Sequence, residues 1–347
     1  MNSKSLIATI AALVLAFTCT AAFAEDIHKL ILSGRILTAE EAGSLETKLE
    51  QNPKDIASRT KLLGYYLMAQ YRNLSARESR QKHILWLVVN APESEVLGIP
   101  EGTLNAILER DAYSQAKKAW LDHIKRKPEV LKLLEHSANF FKLHDRELAI
   151  ESLQKARALD MDNPQWPKEL GHIYSLGVTR KSPKDQTFAA EKALEQFEIA
   201  YRLSSDNEQN VLLKDLAQMA LLAQRITKAK EYAEKMLNEN PPGWNYGNNV
   251  HYGNIILGRI AIKRGDLEEA KKRLLNAGNT PGSPQLNSFG PSMTLAKELL
   301  EKEEKDVVLE YFELCSKFWK SRRDRLDAWS AAVKDDRMPN FGANLTR

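Results

Sequence analysis

The chain has 347 residues, 43% of them hydrophobic and 28% charged, a balance that excludes a disordered polypeptide and allows a sizeable core. Its formal net charge of +4 is small for this length, so composition gives no electrostatic case for nucleic-acid binding. The only cysteines are Cys19 and Cys315, and Cys19 falls in a leader, so no internal disulfide is expected to staple the fold.

In chain order, residues 1–24 read as a signal peptide. Lys4 gives a positive start, Leu6 to Phe17 an apolar run, and Ala22-Phe23-Ala24 a small-residue cleavage site, so the mature chain is expected to begin at Glu25 and to be exported, periplasmic or secreted. Beyond it no uninterrupted apolar run is long enough to cross a bilayer. Residues 25–90 form an N-terminal helical segment. Thr38 and Glu41 make a capping box that opens a helix ending at Asn52-Pro53, and a second helix spans 55–71 with Gly64 among large neighbours. Its partner, near Ala76 to Val89, puts Arg80 where a large apolar residue belongs, so this pair is only repeat-like. Residues 91–103 carry Pro and Gly at intervals that no regular element tolerates and read as a loop, followed over 104–320 by a stack of helix pairs.

The pattern is clearest in Asn254 to Ala277. Arg264-Gly265-Asp266 is a turn, with Gly265 ending one helix and Asp266 capping the next with Glu269 at its third position. Gly258, Ala270, Leu274 and Ala277 mark where the two helices touch. The same offsets recur at Ser137, Ala149, Leu153 and Ala156, at Ala217, Ala229, Ala233 and Met236, and at Ala296, Val308, Phe312 and Cys315. A further set, Gly171, Ala193, Phe197 and Ala200, is ten residues longer between its first two members, and residues 175–188 are expected to project as a loop carrying Arg180, Lys181 and Lys184. Residues 321–347 read as a capping helix and a tail pinned by Phe341.

These offsets resemble the tetratricopeptide repeat, in Leu257-Gly258, Gly265-Asp266, Ala270, Leu274 and Ala277 with Pro281 beyond, over roughly Ala116 to Trp319. The fold expected is all-α, an α-solenoid or superhelix of stacked antiparallel helix pairs. The resemblance implies a scaffold that binds a protein or peptide partner along a concave helical surface, with no catalysis of its own.

Two linkers differ in composition from the rest. Asn238 to Tyr252 combines Trp244, Tyr246 and Tyr252 with Asn245, Asn248, Asn249 and His251, and Asn279 to Ser292 contains Asn287 and Phe289. Rings give contact area at little entropy cost and amides give directed hydrogen bonds, so Trp244, Asn245, Tyr246, Asn249, His251, Tyr252, Asn287 and Phe289 are the candidate partner-binding residues. Both linkers flank one hairpin and are expected on the same edge of the stack. The alternatives are carbohydrate or cell-wall binding through the Trp244–His251 loop, or an enzyme whose sign would be His251 beside a carboxylate in a closed pocket.

No other chemistry emerges. None of the seven histidines pairs at helical ligand spacing, so no zinc motif exists. Gly171 to Gly177 lacks the Lys-Ser/Thr of a phosphate loop, and no nucleophile elbow is present. No catalytic residue, cofactor or metal ligand is assigned.

Overall fold

The structure, a computed structural model, describes residues 27–71, 73–178, 182–239 and 241–345. The signal segment, its cleavage site after Ala24, and Arg180 and Lys181 lie outside the described residues. All regular structure among the described residues is helical, and successive helices pack in adjacent pairs. The helices fall into two compact units, up to Met161 and from Asp162 onward.

The first unit holds α1 (27–35), α2 (Ala39–Gln51), α3 (Ile56–Ala69), α4 (Leu74–Asn90), α5 (Arg110–Arg126), α6 (Leu131–Phe141) and α7 (Arg146–Leu159). The capping box forms as the sequence predicts, Glu41 N–H donating to Thr38 Oγ1 at 3.2 Å while Thr38 N–H donates to Glu41 Oε2 at 2.7 Å. Helices α1 and α3 meet backbone to backbone. A Cβ on Gly64 would lie 2.3 Å from the Ile31 carbonyl oxygen, and one on Gly34 would lie 2.0 Å from that of Lys61, so only glycine fits at either contact.

Arg80 sits at the apolar position that the repeat offsets assign to it, and it is buried there. What makes this tolerable is the segment after α4. Its two short 3-10 turns, Glu95–Gly98 and Pro100–Gly102, bring the Thr103 carbonyl to 2.6 Å from Arg80 Nη2 and lead to Glu109, whose equally buried carboxylate lies 3.2 Å from Nη1. The segment read as a loop is therefore a packed layer, with Val96, Leu97 and Leu104 buried. It supplies the Thr103 carbonyl to Arg80, and Glu109 at the start of α5 supplies the counter-charge.

The second unit holds α8 (Gln165–Ser175), α9 (Pro183–Leu203), α10 (Asp206–Leu222), α11 (Ile226–Asn238), α12 (Tyr246–Arg264), α13 (Leu267–Gly278), α14 (Pro284–Phe289), α15 (Thr294–Leu300), α16 (Lys305–Ser316) and α17 (Arg323–Lys334). Each helix packs on the next from α8 to α13, and contacts also join α10 to α12, α12 to α15 and α13 to α16. One apolar core runs from Val178 to Phe341.

All twenty residues of the five offset sets are buried. Gly265 has φ of +79°, the left-handed conformation that ends α12, and Asp266 accepts from Glu269 N–H at 3.0 Å to start α13. A Cβ on Gly258 would lie 2.3 Å from Leu295 Cδ2 and 3.1 Å from Arg273 Cβ, so the close contact there is with α15 of the following pair as well as with α13. The tail is held as expected, Phe341 buried against Phe312 and Trp329.

Two expected loops are corrected. Residues 183–188 belong to α9, because Ser182 caps it and Pro183 occupies its first turn, two signals that start a helix. Residues 246–252 belong to α12, which begins at Tyr246 rather than Asn254.

Candidate functional site

The early start of α12 decides where the predicted rim residues go. Asn and Gly are poor helix formers, but here tertiary hydrogen bonds override propensity. Asn245 and Asn249 both donate to Asn210 Oδ1, at 2.9 and 3.0 Å, and Asn248 Nδ2 donates to Gln285 Oε1 at 3.2 Å while its oxygen accepts from Ser283 Oγ at 2.6 Å. Thr280 Oγ1 donates to the Gly247 carbonyl at 2.8 Å. The two unusual segments are thus tied to each other, and their amides are engaged within the chain. Tyr252 is buried with the Lys214 ammonium 4.2 Å from its ring centre. Asn287 is exposed, as are the rings of Trp244, Tyr246 and Phe289. The predicted set therefore divides into an internal polar lattice and an outward aromatic part.

His251 is completely buried. Its Nδ1–H donates to the Ala277 carbonyl at 2.9 Å and its Nε2 accepts from Ser292 N–H at 3.0 Å, which fixes the neutral tautomer. Burial, which penalises the charged ring, lowers its pKa to about 4. Both nitrogens are committed to backbone partners, so the ring is not available as an acid or base for a bound substrate. The arrangement expected of an enzyme site at this edge, a histidine beside a carboxylate in a closed pocket, is not what surrounds His251.

A cleft of about 880 Å³ lies in the first unit. Ile27 and Leu30 of α1, Ile56 and Ala57 of α3, Val89 at the end of α4, and Leu133 of α6 give it an apolar floor. The cleft opens where α4 and α5 terminate. His123 bonds to the Val88 carbonyl at 2.8 Å and joins the two ends. Arg126 and Lys127 stand exposed on one rim; Glu93 and Glu95 stand on the other, with Glu95 2.8 Å from Lys132. An apolar floor with a few convergent polar groups is the usual form of a binding site, and this volume is in the range such sites occupy. Its residues come from five segments spread over a hundred positions, so no spacing in the sequence points to it. One signal was present: Asn90-Ala91-Pro92 ends a helix at the start of a long connection.

A second polar constellation lies in the same unit beside a smaller cavity of about 340 Å³. Glu46 Oε1 accepts from Tyr66 OH at 2.6 Å and from His83 Nε2 at 2.9 Å, and Arg59 Nη1 donates to His83 Nδ1 at 3.1 Å. The Arg59 guanidinium stacks 3.7 Å over Trp86 and bonds the Pro53 carbonyl. Burial alone would raise the Glu46 pKa, but hydrogen bonds from His83 and Tyr66 outweigh it and hold the carboxylate below its ordinary range. Both His83 nitrogens are occupied, so the cluster locks α2, α3 and α4 together rather than presenting a base.

Among the described residues no group of three or more His, Cys, Asp or Glu side chains is placed to hold a metal ion. Cys315 is buried, and burial raises its thiol well above the ordinary range. No described helix is long and apolar enough to cross a membrane. The class that the fold defines is an all-helical protein with helices packed in adjacent pairs, consistent with a helical-repeat fold. Comparison with known proteins found neither a matching family model nor a matching curated protein.

Proposed function

We propose that the chain is an exported scaffold, similar to tetratricopeptide-repeat proteins, whose antiparallel helix pairs stack into a superhelix and which binds a segment of a protein or peptide partner without catalysis of its own. The observation that carries this reading is the cleft of the first unit. A floor of Ile27, Leu30, Ile56 and Val89 accepts apolar side chains of an entering segment. Charges of both signs on its rims suit a polypeptide better than a uniformly charged ligand. Export is supported by Lys4, the apolar run behind it and Ala22-Phe23-Ala24.

The test is to pan a random linear peptide library against the full chain and counter-screen with Val89→Glu. Val89 is 54% exposed, so this change spares the core while placing a charge on the floor. Selected peptides should carry apolar anchors and bind the variant at least about tenfold more weakly, the cost of one poorly desolvated charge. Peptides that bind parent and variant equally would remove the cleft from the account. Amino-terminal sequencing of the exported product should begin at Glu25.

A further inference from the structure

Charge is unevenly distributed along this chain. Residues 317–325 contain Lys317, Lys320, Arg322, Arg323 and Arg325 against one carboxylate, Asp324, an excess as large as the net +4 of the entire sequence. All five cations are exposed. None of their side chains forms a hydrogen bond or ion pair among the described residues. The backbone that carries them is nonetheless fixed: Phe318 and Trp319 are buried before the 3-10 turn Lys320–Arg322, and Leu326 and Trp329 anchor α17 after it.

The basic turn does not stand alone. Helix α14 packs against it, so the ring of Phe289, 57% exposed, belongs to the same edge of the second unit. Asn248 and Gly247 bond to Gln285 in α14 and to Ser283 and Thr280 ahead of it, which brings the start of α12, with exposed Trp244 and Tyr246, onto that edge too. A concentration of unpaired cations therefore shares a border with outward aromatic rings.

We propose that this edge is a docking surface for an anionic phospholipid bilayer. Cations near a negatively charged headgroup layer gain attraction that decays within a Debye length, and aromatic rings beside them favour the headgroup depth where one end is apolar and the other wet. Lysines and arginines held by no partner keep their side-chain freedom, which suits a fluid layer of mobile headgroups better than a shaped protein counter-surface. No described helix can span the bilayer, so the contact is peripheral. This surface is separate from the cleft, and neither proposal depends on the other.

The experiment is co-sedimentation of the full chain with vesicles of phosphatidylcholine alone and of phosphatidylcholine with phosphatidylglycerol, at low and raised salt. Comparing the two vesicle types cancels any salt-independent apolar contribution from the leader. The parent should prefer the anionic vesicles and lose that preference as salt rises. Replacing Lys320, Arg322 and Arg323 together by Gln should reduce the preference on the order of a hundredfold, at about fivefold per cation. All three are exposed, so thermal unfolding should stay unchanged. Phe289→Ser should weaken retention while leaving its salt dependence. Equal retention of the parent on both vesicle types overturns the proposal, as does an undiminished preference in the triple variant. Salt-sensitive binding of the parent to insoluble glycan or to a soluble polyanion, with no preference among vesicles, overturns it as well.

Discussion

The two units solve the same packing problem differently. In the second, helices approach at Gly258, Ala270, Ala277 and their equivalents, and the polar side chains buried there, among them Asn248, Asn249 and His251, are uncharged. In the first, Arg59 and Arg80 are buried with their partners His83 and Glu109, and the segment after α4 fills space that a regular helix pair would occupy. Small residues let helices close on each other until side chains interlock. Buried charges require hydrogen-bonding partners. The 880 Å³ cleft lies beside the irregular segment, and a cavity on α10 and α12 in the second unit holds about 20 Å³.

The strongest way to break this comparison is to remove one partner of the buried pair. Glu109→Ala should destabilise the first unit by about 3–5 kcal/mol, because Arg80 keeps its charge in a buried site. Arg80→Met combined with Glu109→Ala should recover much of the loss. Urea midpoints for the parent, single and double variants check both statements, and additive losses would deny the coupling.

Next comes the pH response of the second unit. In the unfolded chain His251 takes up a proton near its ordinary value of about 6.5, whereas in the fold it does so only near 4. Between those values the unfolded state binds more protons, so stability conferred by the neutral ring is complete above about pH 6.5 and falls as pH drops toward 4. The loss is of order 3 kcal/mol. His251→Gln should lower stability at neutral pH and flatten this part of the profile relative to the parent. Parallel profiles over that window would show that the ring is not held neutral.

Overpacking sharpens the comparison from the apolar side. Gly258→Leu must displace Leu295, and a cost of about 1–3 kcal/mol is expected from denaturant midpoints. Smallest is Trp244→Ala, at an exposed ring, which should change stability by no more than about 0.5 kcal/mol. A large loss of thermal stability in that variant would mean that the ring packs rather than faces outward.

Much of the architecture was legible because it depends on local periodicity. Gly265, Asp266, the alanines at fixed offsets and the Thr38–Glu41 box each act within a few residues of themselves, and each does what its spacing predicts. The aromatic edge was half legible. Segments 238–252 and 279–292 do lie together, as flanking one hairpin required. Their amides could not be foreseen as internal, because Asn210, which accepts from Asn245 and Asn249, is on another helix pair. The cleft was the least legible feature. Ile27, Ile56, Val89 and Leu133 are far apart in the sequence, and beyond the helix stop at Asn90-Ala91-Pro92 no local pattern joins them.

Hydrogen exchange across the whole chain, with and without a library-selected peptide, tests the central claim most directly, because it reports on both units in one measurement. The peptide should slow exchange at 89–95 and 123–133 and leave α10 to α13 unchanged. Protection gained along α10 and α12 instead, with residues 89–95 unaffected, would contradict it and return the binding surface to the regular stack.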